Sequence, residues 1–107
     1  MPFLRKTVLL ILIMGLFSGC VTTQIPNKEY VLAKAAYDAA IAAEAAKFAP
    51  QLYYKAEKSF KKAEALYKER YYEEAKKEFI YAKNLSEKAE NAARMKQFNS
   101  NEEGNNE

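Results

Sequence analysis

The chain has no histidine and no tryptophan, and its 107 residues include only one cysteine, three glycines and three prolines. Each scarcity excludes something. Without histidine, the commonest general base and metal ligand near neutral pH is missing. The single thiol, Cys20, can form neither an intramolecular disulfide nor a paired-cysteine zinc site. Three glycines, at positions 15, 19 and 104, cannot build a glycine-rich loop around a phosphate. Few glycines and prolines also leave long segments without punctuation, which favours helices. An excess of one charge is lacking too: 17 basic residues against 14 acidic ones give a formal net charge of +3. That is too small for a nucleic-acid footprint. The length allows one small domain at most.

What is present divides at about residue 28. Everything after it is dominated by alanine, lysine and glutamate, a helical composition. The first twenty residues read differently. Arg5 and Lys6 form a positive segment, residues 8–17 form an apolar run, and Ser18 and Gly19 lead to Cys20. Ten apolar residues in a helix span about 15 Å, half of a hydrocarbon core of ~30 Å. The run is too short for a stable transmembrane helix and fits a cleaved signal peptide over residues 1–19.

The stretch FSGC, Phe17, Ser18, Gly19 and Cys20, resembles the lipobox of bacterial lipoproteins, with Phe17 where leucine is commonest. The resemblance implies transfer of diacylglycerol to the Cys20 thiol, cleavage between Gly19 and Cys20, and fatty acylation, as by palmitate, of the new amino terminus. Two or more acyl chains hold a protein stably on a membrane, whereas one is marginal. Cleavage would leave 88 residues with 15 basic and 14 acidic side chains, so most of the apparent basicity lies in the leader. Lipoproteins retained in the inner membrane of two-membrane bacteria typically carry aspartate after the cysteine. This chain carries Val21 there, which implies the outer membrane, with the domain on its periplasmic face.

After Cys20, residues 20–27 read as a lipidated tether. Pro26 disfavours helix at Ile25, and Asn27 suits a helix N-cap. Ten of the nineteen residues 31–49 are alanine, the best helix former. Tyr30, Ala33, Tyr37, Ile41, Ala45 and Phe48 make a stripe at helical spacing. Pro50 ends this helix and suits the first turn of the next. Leu52, Ala56, Phe60, Ala63 and Tyr67 make a second stripe. Tyr72, Ala75, Phe79, Ala82, Ser86, Ala89 and Ala93 make a third. Alternating acids and lysines, among them Glu57 with Lys61 and Glu73 with Lys77, mark the opposite faces as solvated.

The stretch FKKAEALYKERYYEEAKKEFIYAKNL looks like one tetratricopeptide-type helix pair, with Ala63 and Tyr67 on its first helix and Tyr72, Ala75, Phe79 and Ala82 on its second. Residues from about Tyr30 to Ala93 resemble the bacterial lipoprotein family described as domain of unknown function 4398. The shared features are the alanine-rich first helix, the Ala49–Pro50 dipeptide, and Tyr72 with Ala75 opening the last helix. Such hairpins commonly carry a glycine before the aromatic, where this chain has Glu69, Arg70 and Tyr71. The expected fold is all-α: a three-helix up-down-up bundle over residues 28–98, with helices at 28–49, 50–69 and 72–97. One continuous helix from Pro50 to about Gln97 is the alternative. The polar end, residues 99–107, is expected to be disordered.

No catalytic site is legible. The carboxylates alternate with lysines on exposed faces, Cys20 is claimed by lipid, and Ser59 and Ser86 lie mid-helix with no base beside them. Nor do spaced ligands suggest a metal, and no cofactor is implied. Two readings of function remain. One is a non-catalytic interaction or adaptor module that meets another envelope protein through exposed tyrosines, for which Tyr53, Tyr54, Tyr71 and Tyr72 are the candidates. The other is a structural lipoprotein that self-associates as a coiled coil or supports the envelope. Monomer and oligomer both fit the sequence.

Overall fold

The computed structural model describes residues 2–15 and 24–106. Among these it is all-helical, without strands: α1 Pro2–Gly15, α2 Asn27–Ala42, α3 Ala45–Phe48, α4 Pro50–Lys68 and α5 Tyr72–Asn105. Ser18, Gly19, Cys20 and Val21 lie outside the described residues. These extend over 100 × 22 × 16 Å, an elongated form to which the 34-residue α5 contributes about 50 Å. Helix α1 packs on none of the other helices, and no described helix is long and apolar enough to cross a membrane.

The single helix expected over residues 28–49 is broken in two. Glu44 takes a left-handed conformation, φ 55°, at the junction of α2 and α3. Propensity loses here to packing: the bend lets Ala45 and Ala49 join Ala89 and Ala93 in the interior. Gln97 Nε2 donates a hydrogen bond of 2.8 Å to the Ala43 carbonyl at the bend. Asn27 does not cap α2. The helix starts with Pro26 at the capping position and no side-chain cap, and Asn27 Oδ1 instead accepts a hydrogen bond from the Tyr67 hydroxyl at 2.9 Å.

Between α4 and α5 the chain turns, so the continuous helix is excluded. The turn is made without glycine. Arg70 adopts φ 65°, its N–H bonds the Tyr67 carbonyl at 3.1 Å, and the Tyr71 N–H reaches back to the Leu66 carbonyl at 2.9 Å. This pair of bonds is the Schellman closure, which consumes carbonyls that the helix end leaves without partners. At the other end, α5 continues to Asn105, where disorder was expected from residue 99. No proline interrupts it, Gly104 comes only at its end, and Ser100 Oγ donates to the Lys96 carbonyl at 2.8 Å.

Among the described residues, twelve of the fifteen buried apolar ones are alanine. Alanine lets helix axes approach closely but removes little area from water, so the larger side chains must supply most of the burial. Helix α5 packs along both α2 and α4. One interior cluster joins Ala33, Phe60, Ala63, Ala75, Phe79 and Ala82, with Tyr30, Tyr37 and Tyr67 against it. The other joins Ala40, Ala43, Ala45, Ala49, Ala89 and Ala93, with Phe48, Leu52 and Tyr53 against it. The third sequence stripe is buried throughout except for Tyr72, which is half-buried. The first is not: Ile41 faces solvent at 49% exposure, while Ala36 and Ala40 turn inward.

Candidate functional site

The four tyrosines singled out from the sequence fall into two separated pairs, not one patch. Tyr53 and Tyr54 sit in the first turn of α4, and Tyr71 and Tyr72 open α5 beyond the other end of α4, ~20 Å along the helix. Within each pair one ring is committed to the fold. Tyr53 is half-buried and stacks on Tyr37, with ring centroids 5.9 Å apart. Tyr72 is half-buried edge-on to Tyr67 at 5.8 Å. Tyr54 and Tyr71 are the exposed members, at 60% and 55%.

The aromatic interior is continuous. Tyr30 stacks on Phe60 and Tyr67 and meets Phe79 edge-on at 5.1 Å, and Tyr37 stacks on Phe60 at 5.2 Å. Offset and edge-to-face geometries of this kind add to the area term. A polar strip borders it. The Tyr37 and Tyr53 hydroxyls lie 3.2 Å apart, and Tyr37 also donates to Glu57 at 3.4 Å. Burial, then the hydrogen bond to Tyr53, raises the Tyr37 hydroxyl well above the ordinary tyrosine value. The Lys61 ammonium, 2.9 Å from Glu57, holds that carboxyl below its usual value against partial desolvation. Glu57 with Lys61 was readable from their spacing, but Tyr37 with Tyr53 was not, because the pairing depends on how α2 lies against α4. At the same spacing, Glu73 and Lys77 form no ion pair. Ser59 Oγ donates to Glu78 at 2.9 Å, whereas the fully buried Ser86 Oγ has no partner.

The two ends of the domain differ. At the end where α2 begins, the Tyr67–Asn27 hydrogen bond and a Lys76–Glu29 pair at 4.0 Å fasten residues 27–29 to α4 and α5. A cleft of about 250 Å³ lies there, lined by Gln24, Ile25, Pro26, Glu29, Glu73 and Lys76. At the opposite end a shallow groove of about 340 Å³ runs between Phe48, Pro50, Leu52, Ala92 and Lys96. Beyond it α5 carries Met95 and Phe98, both more than 60% exposed. No group of three or more potential metal ligands occurs among the described residues. The chain matches no protein-family model, and neither a curated protein nor a solved structure is similar to it.

Proposed function

We propose that the chain is a lipid-anchored protein of a bacterial envelope, held through Cys20 on the periplasmic face of the outer membrane. Its domain acts there as a non-catalytic interaction module for another envelope protein. The resemblance of FSGC to a lipobox and of the domain to helical lipoproteins motivates the reading. The observation that carries it is the contrast between α1 and the rest. Helix α1 exposes Phe3, Leu4, Val8, Leu9, Leu10, Ile11, Leu12, Ile13 and Met14 and packs on no other helix, while α2 to α5 bury one another. An apolar helix left out of a fold suits a segment that a membrane or translocation machinery handles and a peptidase removes. The domain is then a three-helix up-down-up bundle whose α4–α5 pair is a tetratricopeptide-like hairpin. The order of the two interior clusters supports this, Tyr67 belonging with Ala33 and Ala75 and Leu52 with Ala43 and Ala93.

Labelling cells with a fatty-acid analogue tests the anchor. The native chain should take up label and Cys20→Ser should stay unlabelled at precursor size; label on the variant would sink the reading. Separation of the two membranes tests the address, since Val21→Asp should shift the protein from the outer to the inner fraction. A second reading, self-association as a structural lipoprotein, is favoured by the exposed Met95 and Phe98 on α5. Sedimentation of the lipidated protein in detergent separates the two, an elongated oligomer supporting the second.

A further inference from the structure

We propose that the end of the domain formed by residues 24–28 and 68–73 rests on the bilayer surface, with Tyr71 and Ile25 seated among the lipid headgroups. This inference depends on the lipid anchor at Cys20. Chain length supplies the first argument. Gln24 follows Cys20 by four residues, and four residues reach at most ~14 Å. Wherever the acylated Cys20 enters the membrane, Gln24 must lie within that distance of it.

The second argument is what the fold brings to Gln24. Tyr67 is hydrogen-bonded to Asn27, and Lys76 pairs with Glu29, so the α4–α5 turn is fixed to the same end. That turn is closed by the Arg70 and Tyr71 backbone bonds described above. It presents Tyr71 at 55% exposure, and Ile25 beside the cleft is 49% exposed. Lys28, Lys68 and Arg70, close to them in the chain, are exposed too.

The chemistry favours a headgroup layer over a protein surface. A tyrosine and an aliphatic side chain with lysine and arginine close by in the chain is the pattern that partitions to the membrane interface, the rings at headgroup depth and the long cations towards phosphate. Glu69, Glu73 and Glu74 are exposed in the same region and balance Lys28, Lys68 and Arg70. The contact is therefore suited to zwitterionic headgroups and is not a polybasic attraction to anionic lipid. The domain thus stands on the membrane by this end, and the groove between Phe48 and Lys96 points away from it.

Because the chain has no tryptophan, one substitution gives a clean reporter. The lipidated full-length protein, carrying Tyr71→Trp or Tyr54→Trp, is reconstituted into phosphatidylcholine vesicles with upper acyl carbons brominated or not. Flotation and fatty-acid label report the anchor, and tryptophan emission reports the contact. Bromination should quench Tyr71→Trp by about twofold or more, as for a ring at interfacial depth, and leave Tyr54→Trp unchanged. Vesicles that float with the protein while Tyr71→Trp stays unquenched, or with both variants quenched alike, overturn the inference alone. A chain that neither floats nor carries label overturns the anchor and this inference together.

Discussion

Tyr37 of α2 and Tyr53 of α4 stack with their ring planes 18° apart and bring their hydroxyls to 3.2 Å, which joins two helices by a polar contact at the rim of an apolar interior. The proton on Tyr37 is held there by burial first and by Tyr53 second. A tyrosine whose folded-state value is raised contributes its stability fully below the unfolded value, 10.0, and loses it as pH rises beyond that towards the folded value. Thermal melts should therefore show stability falling above about pH 10. Tyr37→Phe should flatten that alkaline limb while costing about 1 kcal/mol at neutral pH. Lys34 and Lys61, raised by Asp38 and Glu57, titrate in the same direction and keep the limb from vanishing. An alkaline limb identical in both proteins would contradict the role given to Tyr37.

Glu57 works at the other extreme. Its carboxyl is lowered chiefly by the hydrogen bond from Lys61, so its contribution is present above the unfolded carboxylate value and fades as pH falls through the lower folded one. The Lys61 side chain is 70% exposed, which keeps the pair weak. Glu57→Gln should leave neutral-pH stability nearly unchanged and reduce the slope of stability against pH on the acid side. Acid titration followed by circular dichroism checks this.

Arg70 occupies a conformation that costs a residue with a Cβ about 1 kcal/mol. Glycine escapes that cost, but the greater freedom of its unfolded chain takes back part of the gain. Arg70→Gly should raise stability by about 0.5 kcal/mol, and Arg70→Val should lower it by more than 1 kcal/mol. If chemical denaturation ranks the three proteins otherwise, the turn does not hold its observed closure.

How far the sequence carries depends on what each feature needs. The break at Pro50 was legible from proline chemistry, and the one near residues 69–71 from the resemblance to a helix pair, with a continuous helix as the alternative. The break at Glu44 was not. The stripe from Tyr30 to Phe48 runs through it at helical spacing without interruption, and the fit of Ala45 and Ala49 against Ala89 and Ala93, which bends the chain, is tertiary. The tyrosine doublets were legible as doublets, yet which ring of each faces out is set by the rotation of α4 and α5. That placed Tyr54 and Tyr71 outside and left Tyr53 and Tyr72 half-buried. The helix beyond residue 98 was missed because its composition lacks apolar residues, and it holds by backbone bonds without tertiary support.

Ser86 is enclosed on α5 with an unpartnered hydroxyl. A buried hydroxyl without a hydrogen bond costs about 1 kcal/mol or more. Ser86→Ala removes it at almost unchanged volume among alanines at positions 82, 89 and 93. The variant should be as stable as the native chain or more stable by up to about 1 kcal/mol. Ser59→Ala should be destabilising, since Ser59 bonds Glu78. Urea denaturation of the two variants side by side gives the comparison, and a less stable Ser86→Ala would show that the hydroxyl has a partner.

Phe79 concentrates the burial that alanines cannot provide. It is fully enclosed, touches Tyr30 edge-on at 5.1 Å, and lies 6.0 and 6.2 Å from Phe60 and Tyr67. It thus sits where α2, α4 and α5 meet. Truncating an enclosed phenylalanine removes its transfer energy and leaves a cavity, at a cost of about 3–5 kcal/mol. Around it stand Ala33, Ala63, Ala75 and Ala82, whose methyl groups cannot extend to fill the space, so the upper part of that range applies. Small domains hold only about 5–15 kcal/mol in total, and Phe79→Ala should shift the melt by tens of degrees or leave the helices unpacked. Phe98, exposed at 62% on the last turns of α5, provides the control. Phe98→Ala should change monomer stability by less than about 0.5 kcal/mol. Equal effects of the two substitutions in calorimetry would show that the interior is not centred on Phe79.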